Sequence, residues 1–399
     1  MKHSVIFSSV VLAGAMVGAA HADPMEIALL QEAIFSGKTS LDLRLRSEWA
    51  DDSVKQDANA QTLRTVLGYK TGDYHGFKGF IEFEDVGNFG REYYNSGIAG
   101  GNTKYATIAD PEVTQVNQVF LEGYGAKVGR QKIVFDNARF IGDVGWRQND
   151  QTFDAVGYSN NSLIKDFTFT LDYVSKVNPP NGITRPVRAP MVNLRYAAFP
   201  AAKASVFHYA VEEKSSASGG NLIANSWQHD GLRVDGAIAD FLYEASFAQQ
   251  KDYAEGATPD ANYMDLQLGY KFGAVTVKAQ HEVLEKGFKT PFATLHAFNG
   301  WADRFLATPT NGLQDSNLKL LAKFYGVNFV LAGHMFKADE NGDNFGNEVD
   351  FSAGYQIFKN LNGLVKFAKY TADTDTAALT GTVANKDLSK VWLQFAYKM

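Results

Sequence analysis

The sequence of 399 residues contains no cysteine, which excludes disulfide bonds, thiolate nucleophiles and cysteine-based zinc sites. After residue 22 it also lacks an uninterrupted apolar run of about 18 residues, the length that a transmembrane helix needs. With 38 basic against 44 acidic residues, it has no positive excess that would indicate nucleic-acid binding. What it has instead is 29 Phe, 18 Tyr and 36 Gly, a mixture typical of proteins built from many β-strands.

The first 22 residues form a unit of their own. They begin with the basic Lys2, continue with an apolar stretch and end in the small-x-small sequence Ala20-His21-Ala22. This pattern predicts a secretory signal peptide over 1–22, cleaved before Asp23. The mature chain is therefore expected outside the cytoplasm.

From residue 40 to 399 the chain has the pattern of about eighteen strands of about ten residues, long enough to cross a membrane when tilted. Very short connections, such as Gly125, Gly273 and Gly326, alternate with long ones at 87–114, 135–149, 177–189 and 287–316. Tight periplasmic turns at one end and longer external loops at the other are typical of bacterial outer-membrane barrels. The predicted fold class is therefore all-β: a single antiparallel transmembrane β-barrel of about 18 strands over 40–399, in the outer membrane.

Leucine and charge alternate strictly in SLDLRLRSEW, residues 40–49. In a membrane barrel the apolar side faces lipid and the charged side faces an aqueous lumen. Applied along the chain, this rule predicts as pore-lining residues Arg44, Arg46, Arg64, Glu82, Glu84, Arg195, Arg233, Lys278, Lys319 and Lys323. An alternative stays open for each of them: opposite charges on neighbouring strands can pair and only stabilise the wall, by about 0.2–1 kcal/mol a pair.

Three stretches carry a more specific signal: LGYKTGDYHGFKGFIEFEDV, DPEVTQVNQVFLEGYGAKVGRQKIVFDNARFIGDVGWRQNDQTFDAV and ATLHAFNGWADRF. In them the chain resembles the alginate-export family of bacterial outer-membrane β-barrel porins. The resemblance implies an eighteen-stranded porin-like barrel, and the founding member of the family exports the anionic polysaccharide alginate. Cationic side chains suit such a cargo, because the fork of an arginine can bind both oxygens of a carboxylate.

The connection 135–149, FDNARFIGDVGWRQN, is too apolar to stay in solvent. We predict that it folds into the barrel and sets the constriction, bringing Arg139 and Arg147 beside Arg130. The loop 287–316 is the second candidate for this role, or for a lid over the mouth.

The segment 23–39 is predicted to hold one short periplasmic helix over 24–36. Asp23 can cap it, Pro24 suits its first position and Gly37 can end it. Its apolar stripe leaves two positions open: a plug or cap at the periplasmic end of the barrel, or a place on the inner leaflet of the membrane.

Other classes of function have little support. The mature histidines are scattered singly, and no GxSxG or HExxH motif appears, so the sequence indicates neither an enzyme nor a cofactor or metal site. The acidic stretch ADENGDN at 338–344 lacks the spacing of a twelve-residue calcium loop. An adhesin or receptor with a closed lumen is a third class, against which the charged lumen positions argue.

The predicted function is a channel for a hydrophilic anionic solute, with an alginate-like oligo- or polysaccharide as the cargo that the resemblance implies. The alternative is a general porin for uptake of small solutes. The expected partners are outer-membrane lipid, the solute and, for an exporter, periplasmic proteins.

Overall fold

The computed structural model describes residues 23–98, 101–199, 201–214, 223–373 and 386–399, and the predicted signal peptide lies outside them. One helix, α1 (Pro24–Phe35), precedes eighteen strands. In chain order these are β1 (Lys38–Asp52), β2 (Ala58–Lys70), β3 (Phe77–Asn88), β4 (Val113–Gly123), β5 (Ala126–Gln131), β6 (Thr152–Asn160), β7 (Phe167–Asn178), β8 (Arg185–Phe199), β9 (Ala202–Glu213), β10 (Trp227–Ile238), β11 (Phe241–Asp252), β12 (Ala261–Phe272), β13 (Val275–Leu284), β14 (Leu313–Phe324), β15 (Val327–Lys337), β16 (Asn344–Phe358), β17 (Leu361–Ala372) and β18 (Leu388–Lys398). In the part of the chain just defined, no helix is both long and apolar enough to span a bilayer.

Each strand pairs antiparallel with its neighbours in the chain, and β1 pairs with both β2 and β18. Leu43, for example, lies between Thr65 of β2 and Tyr397 of β18. The sheet therefore closes on itself, and the backbone groups of every strand find partners without an open edge. The prediction of an eighteen-stranded antiparallel barrel is confirmed.

The connections differ between the two ends of the barrel. At the end where β1 begins and β18 ends, five of the connections that lie wholly within the described residues have two residues, including 124–125, 273–274 and 325–326. In Tyr124-Gly125 and Tyr325-Gly326 both residues have positive φ, as type I′ hairpin turns require. At the opposite end the longest connections are 89–112, 132–151 and 285–312. We call these ends the short-turn end and the long-loop end.

One predicted long connection, 177–189, is wrong in length. β7 and β8 extend into it and leave only residues 179–184 between them. Pro186 lies within β8 beside a bulge, where Val187 and Arg188 of β8 stand opposite the single residue Ser175 of β7. Bulges are among the few places where a sheet accepts proline.

The strands also face as their alternation predicts. Leu45, Leu67 and Leu266 are exposed on the outer face, whereas Arg46 and Glu48 are only 1% exposed inside the barrel. In the last strand Val391, Leu393 and Phe395 are likewise exposed, and Trp392 between them is buried.

The helix α1 begins where the sequence predicts, because the Asp23 side chain accepts a hydrogen bond from the backbone N–H of Met25 (2.9 Å). It lies against the turn 71–76. The backbone N–H of Gly72 donates to the carbonyl of Ala33 (2.7 Å), and Tyr74 donates to the Glu26 carboxylate (2.9 Å). Within the described chain, its hydrogen bonds to other elements all go to residues 69–75, at the rim of the short-turn end.

Candidate functional site

Two long connections, 132–151 and 285–312, fold into the barrel and join there. The backbone N–H of Gly142 donates to the carbonyl of Phe292 (2.8 Å), and that of Thr294 donates to the carbonyl of Ala138 (3.0 Å). Ile141 and Phe292 form a short parallel bridge between the two loops. We call this pair of loops the lumen insert. It contains both the loop predicted to fold inward and the second candidate.

Aromatic packing explains why the insert lies inside. The Phe140 ring lies 5.1 Å from those of Phe207 and Tyr263, 5.4 Å from that of His229 and 6.2 Å from that of Phe288. All five side chains are buried. Because these rings would otherwise meet water, the hydrophobic effect holds the insert in the lumen.

Arg139 fastens the insert to the wall. Its Nε and Nη2 donate to the two carboxylate oxygens of Glu282 on β13, at 2.7 and 3.1 Å. Nη2 also donates to Asn299 of the insert (3.0 Å), and the Phe298 ring lies 4.7 Å from the guanidinium. The side chain is 2% exposed, so this two-pronged pair is removed from solvent.

A second anchor is formed around Asp303 of the insert. Its carboxylate accepts from Arg147 (2.5 Å), from Lys390 of β18 (2.9 Å) and from His296 Nδ1 (2.6 Å), while Arg147 also reaches Glu48 of β1 (3.2 Å). Burial favours a raised pKa for Asp303, but the neighbouring His296, Lys390 and Arg147 outweigh it and hold that pKa well below its usual range. Burial also lowers the pKa of His296 well below its ordinary value, helped by Lys366 and Arg147 and opposed by Asp303. The histidine is therefore neutral and donates to Asp303 from Nδ1.

Lys366 of β17, which was not among the predicted pore-lining residues, completes this anchor. Its Nζ lies 2.6 Å from His296 Nε2, 3.6 Å from the centroid of Trp301 and 4.1 Å from that of Trp146. A buried ammonium held by aromatic rings fixes both loops of the insert at once. The only sequence signal was the pair of tryptophans, one in each candidate loop.

Several predicted pore-lining residues bind the insert or the opposite charge beside them. Arg44 donates to the carbonyls of Gly145, Trp146 and Arg147 (2.9–3.3 Å). The other residues of this group are placed as follows: Arg46 with Asp110 of the loop 89–112 (3.3 Å) and Gln394 (2.7 Å), Arg64 with Glu84 (2.9 Å) and Asp150 (2.6 Å), Glu82 with Asn117 and Gln118 (2.9 Å each), Arg195 with Asp136 (3.3 Å) and Asp235 (3.4 Å), and Arg233 with Asp235 (2.7 Å) and Glu244 (2.9 Å). Arg46, Arg64, Arg195 and Arg233 are therefore paired with opposite charges, whereas Arg44 and Glu82 are bound by uncharged groups.

Arg130 does not join Arg139 and Arg147, and this correction follows from strand register. It lies between Val119 and Asp154 on the face that carries the exposed Val128. Its Nε donates to the Asp154 carboxylate (2.7 Å). Because successive side chains of β5 alternate, Arg130 is on the outside of the wall.

The lumen opens towards the short-turn end. Along β14 the inward-facing Leu313, Asp315 and Asn317 are buried, Lys319 is half-buried and Lys323 is exposed. Two cavities lie at this end. One of about 540 Å³ is bordered by charged side chains that include Lys78, Glu122, Lys127, Lys132 and Asp172, and one of about 290 Å³ is bordered by Lys203, Arg233, Asp235, Glu244 and Lys278.

Lys278 and Lys319 differ from the paired arginines. They lie directly opposite each other in the register of β13 and β14, and both face the lumen. Lys278 donates to the amide oxygen of Gln267 (2.9 Å). In the described chain, no carboxylate forms an ion pair with either ammonium group.

His229, His296 and His334 are buried inside the barrel. His334 Nδ1 lies 2.9 Å from the Asp315 carboxylate, within the lumen network. Among the described residues, no three His, Asp or Glu side chains converge as ligands for a metal ion.

A closed barrel with a charged lumen, narrowed by loops folded in from one end, defines the class of porin-type channels of the outer membrane. Within that class the chain belongs to the alginate export family, whose model matches residues 36–284. The match ends with β13, so the loop 285–312 lies beyond it. No curated protein is significantly similar in sequence to the chain.

Solved structures share the fold. OccK3 (OpdO) of Pseudomonas aeruginosa has a TM-score of 0.69 at 12% identity, over 94% of this chain and 99% of that one. OccK8 (OprE) of the same organism has a TM-score of 0.67 at 12% identity, over 92% and 98%. OccAB4 of Acinetobacter baumannii has a TM-score of 0.64 at 12% identity, over 91% and 98%. At these identities the similarity shows a shared barrel fold and does not indicate which solute this chain passes.

Proposed function

We propose that this channel passes a hydrophilic anionic solute, and that Lys278 and Lys319 form part of its path. The observation that carries the proposal is the opposition of these two lysines in a lumen where most other cations are paired. Like charges directly opposite each other destabilise a sheet. An anion between the two ammonium groups removes that repulsion and exchanges part of its hydration shell for cationic contacts.

The position of the pair fits a passage. Lys278 borders the smaller cavity, and Lys323 continues the same inward face of β14 towards the short-turn end. Arg195, with a side chain 30% exposed, adds a partly accessible guanidinium. A solute entering from the periplasm therefore meets lysine before it reaches the insert.

A carboxylated solute suits these cationic groups. Two candidate solutes differ in size: a small anion and an alginate-like polysaccharide. The insert fills the long-loop half of the lumen with buried aromatic side chains, which favours a small anion. Export of an alginate-like polysaccharide is the second candidate, favoured by the family match, and it requires the insert to move aside and periplasmic partners to deliver the chain.

The proposal is tested by measuring the ion selectivity of the channel. The mature protein is inserted into planar bilayers, and the reversal potential is measured under a salt gradient for wild type and for Lys278→Gln with Lys319→Gln. A unit charge about 6 Å away in water is worth about 0.7 kcal/mol, roughly threefold. Removal of both charges should therefore lower the preference for anions by roughly tenfold.

The matched control removes two lysine charges at positions outside the proposed path. Lys165 and Lys359 lie exposed in short turns, so Lys165→Gln with Lys359→Gln should leave selectivity near that of wild type. Equal selectivity of the two double variants would contradict the role of Lys278 and Lys319. Oligouronates added to the wild-type channel separate the candidates: block or passage of long oligomers supports export, and passage of monomers alone supports a small-solute porin.

A further inference from the structure

The apolar stripe of α1 is left uncovered by the rest of the described chain. Ile27, Leu30 and Ile34 are 37%, 41% and 45% exposed. At about 100° per residue these three side chains lie within about 60° of one another on the helix surface. Ala33, the buried residue of the helix, lies beside the stripe and faces the turn 71–76.

The opposite side of α1 carries Glu32. Ala28 and Glu32 project more than about 100° away from the centre of the stripe. The other acidic residue of the helix, Glu26, is bound by Tyr74 (2.9 Å) and His75 (2.9 Å) of the turn. Met25 and Leu29 on this side are exposed as well, so most of the helix surface is apolar, and the charge nearest the barrel, Glu26, is already paired.

The helix is continuous with the surface that the barrel presents to lipid. The hydroxyl of Tyr69 donates to the carbonyl of Ile34. Tyr69 shares the outer face of β2 with the exposed Leu67, and its partner across the strand pair is Ile81 of β3. Tyrosine is enriched where the apolar core of a bilayer meets water. The C-terminal end of α1 thus starts at the border of the lipid-facing band.

We propose that α1 lies in the periplasmic-side interface of the outer membrane, with Ile27, Leu30 and Ile34 among the phospholipid acyl chains. A helix binds such an interface through the apolar area that it buries there. We assign lipid, and not a second protein, as the partner of these three side chains, because α1 adjoins the lipid-facing surface of the barrel. Its side with Ala33 and Glu26 is bound to the turn 71–76. This role concerns the seating of the barrel in the membrane and does not depend on the solute.

The absence of cysteine makes the test direct, since every introduced thiol is the only one in the chain. Leu30→Cys and Ile34→Cys carry a nitroxide in vesicles of phosphatidylethanolamine and phosphatidylglycerol, with Ala28→Cys and Glu32→Cys as matched controls on the other flank. Collision rates are measured with oxygen, which concentrates in the bilayer, and with a water-soluble nickel chelate. Only samples whose electrophoretic mobility shows the folded, heat-modifiable barrel are compared.

The expected result is an oxygen-to-nickel collision ratio at positions 30 and 34 that is several-fold higher than at positions 28 and 32. Equal access of the nickel chelate to all four labels would overturn the proposal, because the helix then lies in water. Labels at 30 and 34 that are shielded from both reagents would overturn it too, since a protein surface then covers the stripe.

Discussion

Arg139→Ala probes the attachment of the lumen insert to the barrel wall. The substitution leaves the buried Glu282 carboxylate with Tyr263 (2.8 Å) and Asn299 (2.5 Å) as donors and without its cation. Breaking a buried ion pair from one side destabilises by about 3–5 kcal/mol. If that free energy holds the insert in place, its loss raises the population of the open insert by at least roughly 100-fold.

Two backbone hydrogen bonds report this opening. The N–H groups of Gly142 and Thr294 join the two loops of the insert, so their hydrogen exchange measures how often the loops separate. We expect exchange at both amides to accelerate by at least roughly 100-fold in Arg139→Ala. The conductance of single channels should rise or fluctuate as the insert moves.

A matched control separates this effect from the general loss of an arginine. Arg188 pairs with Glu212 (3.4 Å) with its side chain 64% exposed, and such surface pairs are worth about 0–1 kcal/mol. Arg188→Ala should therefore leave exchange at Gly142 and Thr294 nearly unchanged. Since most of the penalty arises from the unpaired Glu282, Glu282→Gln should suppress the effect of Arg139→Ala. Exchange that changes no more than in Arg188→Ala would refute the reasoning.

Three further outcomes are expected. Phe140→Ala removes the ring at the centre of the insert and should weaken its packing by about 3–5 kcal/mol, seen in the same exchange assay, whereas Phe89→Ala at an exposed position should not. The pKa of His296 is lowered in the fold, so the stability that the neutral imidazole contributes is complete above about pH 6.5 and declines as the pH falls below it. After correction for the intrinsic pH dependence of amide exchange, the open fraction of the insert should thus rise as the pH falls from about 7.5 to 5 in wild type and change less in His296→Gln, and a pH profile unaltered by this substitution would contradict the assignment. Asp303, whose pKa is also lowered, stays ionised over that range. Deletion of 137–147 should increase conductance, and unchanged conductance and selectivity would place the constriction elsewhere.

Much of the barrel could be predicted because its determinants are local. A strand alternates its faces every residue, so Leu43 and Arg44 already assign lipid and lumen to the two sides of β1. Two-residue turns need residues that tolerate positive φ, and Gly125, Gly273 and Gly326 mark three of them. The length of the connection 177–189 was predicted wrongly, since the bulged pairing that takes Pro186 into β8 depends on the register with β7 and cannot be read from β8 alone.

The candidate site was less accessible to sequence reasoning. Alternation indicates which side a charge faces but not which partner lies across the lumen. Arg64 and Lys278 therefore looked equivalent, although the first is bound by the carboxylates of Glu84 and Asp150 and the second by the amide of Gln267. Arg130 was misplaced because the short β5 had no clear alternation from which to assign its face.

The sequence by itself determined the number of strands, the direction that most of their side chains face and the two ends of the barrel, since each follows from neighbouring residues. Only the tertiary structure decided which loops enter the lumen together and which charges they neutralise. Asp303 and Lys366 are 63 positions apart in the chain, and His296 and Trp146 are 150 apart, yet all four meet at one anchor. Such contacts depend on the closure of the barrel around the insert, which places distant segments opposite each other, and no local pattern records that arrangement.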